Sequence, residues 1–524
     1  MTLLEVEGQL ATAAGGAIAI PAPASAPASS GGHPVVAHSP PLLPEHLGDS
    51  DFTATHGLRY PYVMGAMANG ISSEEIVIAA ARAGMLGVFG AAGLDLPRVE
   101  RAIDSIQSAV GDMPYGFNLI HSPNEPDLEG GVVELYLRRG VRLISASAFL
   151  DLTLPLVRYR ASGVCRDSAG GIVAPNRIIA KVSRIEVARK MMAPPPAAML
   201  DELVRRGEIS TAEAELAAQL PLADDITAEA DSGGHTDNQP ALALIPTMRA
   251  LAEQIALEHG YSRPPRIGAA GGLGTPDAVA AAFAMGAAYV LTGSINQACV
   301  EAGTSGAVRG LLADARQADV TMAPAADMFE MGVKVQVLKR GTMFALRARK
   351  LYELYRACDS LESIPAKDRA MLERDLLRVS CEEAWASTRA FFAERDPSQI
   401  ELAERDPKHK MALVFRSYLG RSSDWANRGE PTRRVDYQIW CGPAMGAFNE
   451  WTRGSFLESA PERTVVVVAM NLLVGAALLC RAGNLRSQLA ASRPWLPLPR
   501  SALSFRPLMQ AELASLLQAE IQVP

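Results

Sequence analysis

The stretch Arg266-Ile-Gly-Ala-Ala-Gly-Gly-Leu-Gly-Thr-Pro-Asp277 reads as a short strand, a glycine turn and the start of a helix. Thr275 supplies an N-cap, Pro276 the first helical position and Asp277 an acid in the first turn. One βα unit later, Tyr289-Val-Leu-Thr-Gly-Ser294 repeats the strand-then-glycine pattern. Working back toward the N-terminus, short apolar runs alternate with helical patterns from Tyr60 onward, which points to a parallel sheet. The spacing predicts strands at Tyr62–Ala66, Leu86–Phe89, Tyr115–Ile120, Leu143–Ala146, Ile178–Val182, Ile226–Ala230, Arg266–Ala270 and Tyr289–Thr292. Eight such strands give an α/β fold of the (β/α)8 TIM-barrel class. A doubly wound open sheet is the competing fold. Its first strand usually runs into a phosphate turn, but Met64-Gly-Ala-Met-Ala-Asn-Gly70 is not GxGxxG.

The rest of the chain divides around this barrel, placed at residues 51–320. Residues 1–50 read as a flexible Ala/Pro-rich tail, because Pro21–Ser30 contains only Pro, Ala and Ser. Ser72-Ser-Glu-Glu75 is a capping box ahead of a helix. An insertion at about 193–222 reads as a helical hairpin, with Ser210-Thr-Ala-Glu213 starting its second helix. Its expected place is over the C-terminal mouth of the barrel. Residues 321–490 read as a mainly helical region, and 491–524 as a Pro-containing tail running over the surface. Val465–Cys480 is apolar but short for a membrane span, so a buried helix is expected.

Composition excludes several functions. Of the 524 residues, 48% are hydrophobic and 20% charged, as in a globular protein. The formal charge of −7 leaves no broad basic field for nucleic acid. The six cysteines form no CxxC pair, so reduced thiols in a cytoplasmic protein are expected, with no bound metal. Met1–Leu10 carries no Lys or Arg, unlike a secretory signal.

Three clusters carry chemistry. Gly271-Gly272 and Gly293-Ser294 follow the last two barrel strands, where backbone amides and helix N-termini are expected to hold a phosphate, two tight turns with no ligand being the alternative. Glu229-Ala-Asp-Ser-Gly-Gly-His-Thr-Asp237 puts His235 beside two glycines at the end of strand six, as a group able to hold or move a proton. A turn histidine bonded to backbone is the plainer alternative. Asn118 and Lys181 are polar residues within otherwise apolar strands. The lysine needs an anionic or polar partner, which a flavin edge provides. For both residues, pairing within the protein core is the alternative.

With these residues the chain resembles the FMN-dependent enoyl reductase and nitronate monooxygenase superfamily. More closely it resembles the PfaD family, the trans-acting enoyl reductases of polyketide and polyunsaturated fatty acid synthases. Besides the Gly-Gly-His turn, the matching stretches are Leu291-Thr-Gly-Ser-Ile-Asn-Gln297, Val300-Glu-Ala-Gly-Thr-Ser305, Asp327-Met-Phe-Glu-Met-Gly332, Lys334-Val-Gln-Val-Leu-Lys-Arg-Gly341, Asp406-Pro-Lys-His-Lys-Met-Ala412 and Tyr437-Gln-Ile-Trp-Cys-Gly-Pro-Ala-Met-Gly446.

The resemblance implies bound FMN, NADPH as hydride donor, and a 2-enoyl thioester on an acyl carrier protein of a polyketide or fatty acid synthase. It implies that Gly65, Ala66 and Met67 pack against the flavin ring, with Asn118 and Lys181 on its pyrimidine side. Gly233, Gly234, Gly271, Gly272, Gly293 and Ser294 would surround the phosphate. His235 would face the reacting centre, as proton donor or as a nicotinamide contact. A nitronate monooxygenase-like oxidase is one alternative, and a non-catalytic docking subunit another. An IMP dehydrogenase type of barrel would need a Cys in the strand-six loop, where this chain has Asp231-Ser-Gly-Gly234. Lys339, Arg340, Arg347, Arg349 and Lys350 are candidates for docking an acidic carrier protein, with solvated helix faces as the alternative. The oligomeric state is open, a homodimer included.

Overall fold

In a computed structural model, the described residues are 2–6, 9–13, 32–121, 126–492 and 505–521. Eight parallel strands close into a barrel: β1 (Tyr62–Met64), β2 (Leu86–Phe89), β3 (Gly116–Ile120), β4 (Leu143–Ser147), β5 (Arg177–Val182), β6 (Asp225–Glu229), β7 (Arg266–Ala270) and β8 (Val290–Thr292). The register Leu291↔Val63 closes the ring between β8 and β1. Each strand falls where the apolar runs predict it, within a residue or two. Ser73, not Ser72, caps the helix Glu74–Arg82 by accepting from the Ile76 amide, while Ser72 donates to the Val88 carbonyl. At Pro276–Ala284 the expected Thr275 cap forms.

The N-terminal end of the barrel is sealed by the helix Ser50–His56. Phe52 stacks on Tyr289 with centroids 4.1 Å apart. Beside it, fully buried Asp225 accepts from His56 Nε2 at 2.7 Å and from Arg266 Nε at 2.5 Å. Burial alone would raise the Asp225 carboxyl, but the hydrogen bond from His56 and the charge of Arg266 leave it below the ordinary value. Its stabilising contribution is therefore present above the unfolded-state carboxyl range and lost as pH falls through the folded value. Asp225→Asn is expected to cost about 3 kcal/mol, since it removes the buried charge that holds His56 and Arg266 and leaves Arg266 only its more exposed pairing with Asp51. Chemical denaturation at neutral pH checks this, and an unchanged midpoint would mean that the network carries no stability.

Three expectations about the outer regions need correction. The hairpin Ala197–Arg205 and Thr211–Ala217 forms, with its Ser210–Glu213 capping box, but it does not cover the mouth. It packs against the helix Leu154–Ala161, between the helix Ile185–Met192 and β6. An insertion between a helix and the next strand belongs to the N-terminal end of the barrel. Residues 1–50 are not simply a tail. Thr2–Val6, Gln9–Ala13 and Val35–His38 form a three-stranded sheet, although Pro21–Ser30 lies outside the described residues. Leu3 and Ala37 of that sheet pack with Leu485 and Leu489. The C-terminal segment also docks: Phe505 O accepts from Trp451 Nε1, and Leu508 exchanges hydrogen bonds with Asn471.

Beyond the barrel the chain is not helical throughout. Val320–Pro324 and Lys334–Leu338 pair antiparallel, and Lys334–Leu338 pairs in turn with Gly234–His235. Helices Phe344–Ala357, Cys381–Arg395 and Pro407–Arg428 then build a second core around Phe329, Phe344, Leu351 and Phe415. The helix Val465–Ser492 is long and apolar enough to cross a membrane by length and composition. Here it packs on Pro276–Ala284 and buries Val465, Val468, Leu472 and Leu473. Each such side chain contributes about 1.5–3 kcal/mol on burial.

Candidate functional site

The C-terminal ends of the barrel strands open into a cavity of about 1270 Å³. Ligand pockets commonly span roughly 300–1,000 Å³, so a cofactor and a substrate can share this one. Of the twelve residues singled out by sequence, Ala66, Met67, Asn118, Lys181, Gly233, Gly234, His235, Gly271, Gly272, Gly293 and Ser294 all line it. Gly65 does not. Its amide donates to Thr292 O, and a Cβ there would lie 2.4 Å from Leu291, so this glycine lets β1 pass β8.

The two glycine loops leave open space. A Cβ at Gly272 or at Gly293 would meet nothing within 4 Å. Gly272 has φ +73°, which turns the backbone as the loop after β7 requires. The loop after β8 is braced from outside the barrel. Gly442 N donates to Ser294 Oγ at 3.0 Å, and Gly442 and Ala444 join the lining. Cys441 beside them is buried, which pushes its thiol up to about 12 and removes it as a thiolate nucleophile.

The polar side chains gather next to these loops. Asn118 on β3 accepts from the Ala92 amide at 3.1 Å, so its Nδ2 is the donor left for the cavity. Lys181 on β5 donates to Glu229 Oε1 at 2.7 Å, across neighbouring strands. Ser232 Oγ donates to the same oxygen at 2.9 Å. The lysine thus has a partner within the protein, at the cavity edge. His235 Nε2 lies 3.2 Å from both carboxylate oxygens of Asp327. The two side chains stay 33% and 42% exposed because they face a wide cavity while protein surrounds them. Burial pulls the imidazole down, but the hydrogen bond and charge of Asp327 outweigh it, and His235 ends above its ordinary value. Burial raises Asp327, yet the same contact leaves it below the carboxylate range.

Sequence reasoning misses Glu229, Asp327 and Gly442 as site residues, although all three lie in stretches it singles out. The pairing of Gly234–His235 with Lys334–Leu338 brings the first two regions together. Gln336 tightens the join by donating to Asp231 Oδ1 and Ser232 O, both at 2.7 Å. A Cβ on Gly233 would lie 2.9 Å from Cys441 N, so the 437–446 segment rests directly on the Gly-Gly-His turn. The proposed docking cations are largely committed elsewhere. Arg347 pairs with buried Asp436, Arg340 with Asp319 and Lys350 with Asp368, and none of the five lines the cavity. Arg416 and Arg421, on the helix Pro407–Arg428, do line it, Arg416 being paired in turn with Glu330.

The enoyl reductase domain of MlnA, from the macrolactin cluster of Bacillus amyloliquefaciens, superposes with a TM-score of 0.80 at 40% identity, over 85% of this chain and 99% of that domain. This chain belongs to the PfaD family of enoyl reductases. Another PfaD-like relative is a polyunsaturated fatty acid synthase protein of Thraustochytrium sp., 48% identical over 84% of this chain and 30% of that protein. The polyketide biosynthesis protein PksE of Bacillus subtilis is 46% identical over 84% of this chain and 57% of its own length. The chain therefore spans less than two thirds of these curated relatives. Residues 358–437 match the family model of the [acyl-carrier-protein] S-malonyltransferase inserted helical domain. In this PfaD-type chain that segment supplies Arg416 and Arg421 to the cavity lining.

Proposed function

We propose that this chain reduces the carbon–carbon double bond of a 2-enoyl thioester carried on an acyl carrier protein, with bound FMN and with NADPH as hydride donor. The observation that carries the reading is the pair of open spaces at Gly272 and Gly293 in the same cavity as Lys181 and His235. FMN fits these residues: its phosphate finds main-chain amides and no side chain at the two loops, and its ring finds donors in Asn118 and Lys181. When bound, the flavin supplies hydride transfer between NADPH and the substrate.

The chain's own residues do the rest. Gly271, Gly272, Gly293 and Ser294 would hold the phosphate, with Gly233 and Gly234 on that side. Ala66 and Met67 would lie along the ring. Lys181, already placed by Glu229, would offer Nζ–H to the pyrimidine edge. His235 stands by to protonate the α-carbon. Addition of hydride at the β-carbon leaves an enolate on the thioester, and an imidazolium meets that charge with a proton. A cavity that remains open, with both loops and His235 facing it, supports an enzyme rather than a docking subunit. A cytoplasmic location beside a polyketide or polyunsaturated fatty acid synthase goes with this reading.

The test is anaerobic mixing of the purified protein, first with NADPH and then with a crotonyl group on a carrier protein. Flavin absorbance near 450 nm should bleach with the first and return with the second. Reduction of the oxidised flavin by a nitronate, together with no return of NADPH-reduced flavin on crotonyl-carrier under anaerobic conditions, would replace the proposal with an oxidase.

A further inference from the structure

His235 and Asp327 are 92 residues apart in sequence, and the fold sets their distance through a backbone ladder. His235 lies on the two-residue strand Gly234–His235, opposite Val335. Asp327 lies on the connection between Val320–Pro324 and Lys334–Leu338. Its Oδ1 also accepts from the Met328 amide at 3.1 Å, which fixes the carboxylate from its own side. A ring held at Nε2 has one other protic atom, Nδ1. We infer that Asp327 is the positioning residue of this site: it holds Nε2–H so that Nδ1–H of His235 is the proton delivered to the substrate. The identity of the acceptor rests on the enoyl-reduction reading; the link between the two side chains does not.

The surrounding charges favour this role. Besides Asp327, the charged groups that act most on His235 are Lys181, which opposes protonation, and Glu229, which favours it. These two neutralise each other through their 2.7 Å contact. Asp327 is thus the net bias toward the imidazolium, and the ring stays charged above its ordinary range. In the step itself the hydride at the β-carbon originates from reduced nicotinamide. The enolate electron pair then forms the bond from Cα to hydrogen, and the Nδ1–H bond breaks. The imidazolium becomes a neutral imidazole with its remaining proton on Nε2, facing Asp327, and water restores the other proton.

The experiment uses the full chain with its histidines labelled with 15N, and His235 assigned by the signal lost in His235→Gln. In the wild type, neutral His235 should be the Nε2–H tautomer, with a titration midpoint above about 6.5. In Asp327→Asn the midpoint should fall, and kcat should drop about 10–100-fold with KM nearly unchanged. The alkaline limb of kcat should move to lower pH, and Asp327→Glu should recover most of the loss. A wild-type Nδ1–H tautomer would overturn the inference without any variant. So would an Asp327→Asn protein with wild-type titration, or one whose lost turnover matches lost flavin. If the wild type reduces no enoyl thioester, the functional reading fails, and the tautomer still decides the Asp–His link.

Discussion

Gly272→Val is expected to purify without flavin. Two effects act together at this position. The backbone sits at φ +73°, a conformation that a β-branched residue rarely adopts. The new side chain also grows into the space where a Cβ meets no protein atom within 4 Å, the space assigned to the phosphate. Losing close amide contacts to an anion should weaken FMN binding by at least about 100-fold, or about 2.7 kcal/mol. Gly293→Val separates the two effects. It reaches the same kind of opening from a backbone with φ −132°, so it blocks without the left-handed cost. Flavin content from absorbance, together with the melting temperature of the unliganded protein, reads both. Loss of flavin in both variants with a normal melt in Gly293→Val supports the phosphate site. Full flavin in either variant would show that the phosphate lies elsewhere.

The barrel is legible in sequence for a physical reason. Strands covered on both faces are continuous apolar runs, as Leu86–Phe89 and Val290–Thr292 show. The glycine loops are legible too, because φ > 0 and close approach leave few other residues available. What is not legible is pairing at a distance. Nothing in the local pattern of Thr2–Val6 announces partners at Gln9–Ala13 and Val35–His38, since short strands among Ala and Pro look like linker. Lys334–Leu338 alternates as a strand does, but its role as the shelf beneath His235 exists only after folding. Lys181 illustrates the same limit. Its place in an apolar strand signals the need for a partner, yet Glu229 is identified only by the register of β5 on β6. The hairpin at Ala197–Arg205 and Thr211–Ala217 fails differently. Its capping signal is correct, and its misplacement comes from ignoring chain direction, because lids over a barrel mouth follow strands whereas this segment follows a helix.

His235→Ala is expected to keep its flavin and lose its turnover. His235 lines the cavity on the Gly-Gly-His turn, but no glycine of the β7 and β8 loops depends on its side chain. FMN content and reduction by NADPH should therefore match the wild type. Reoxidation by enoyl-carrier should slow by about 10²–10⁴, the range for loss of a positioned general acid. The pH profile gives the sign. Asp327 raises the imidazole, so wild-type reoxidation should fall only as pH rises through a midpoint above the ordinary imidazole value. In His235→Ala the fall should vanish, leaving a flat, slow rate. His235→Gln supplies a hydrogen-bond donor without an acid, and distinguishes two roles for the ring. If Gln restores the rate, His235 contributes polarity to the thioester, and the proton comes from water; slowed reduction by NADPH would instead mark a nicotinamide contact. If Gln is as slow as Ala while NADPH still reduces the flavin normally, the missing element is a transferable proton at this position. Undiminished reoxidation in His235→Ala would remove His235 from the chemistry and leave its contact with Asp327 as part of the sheet that holds the turn.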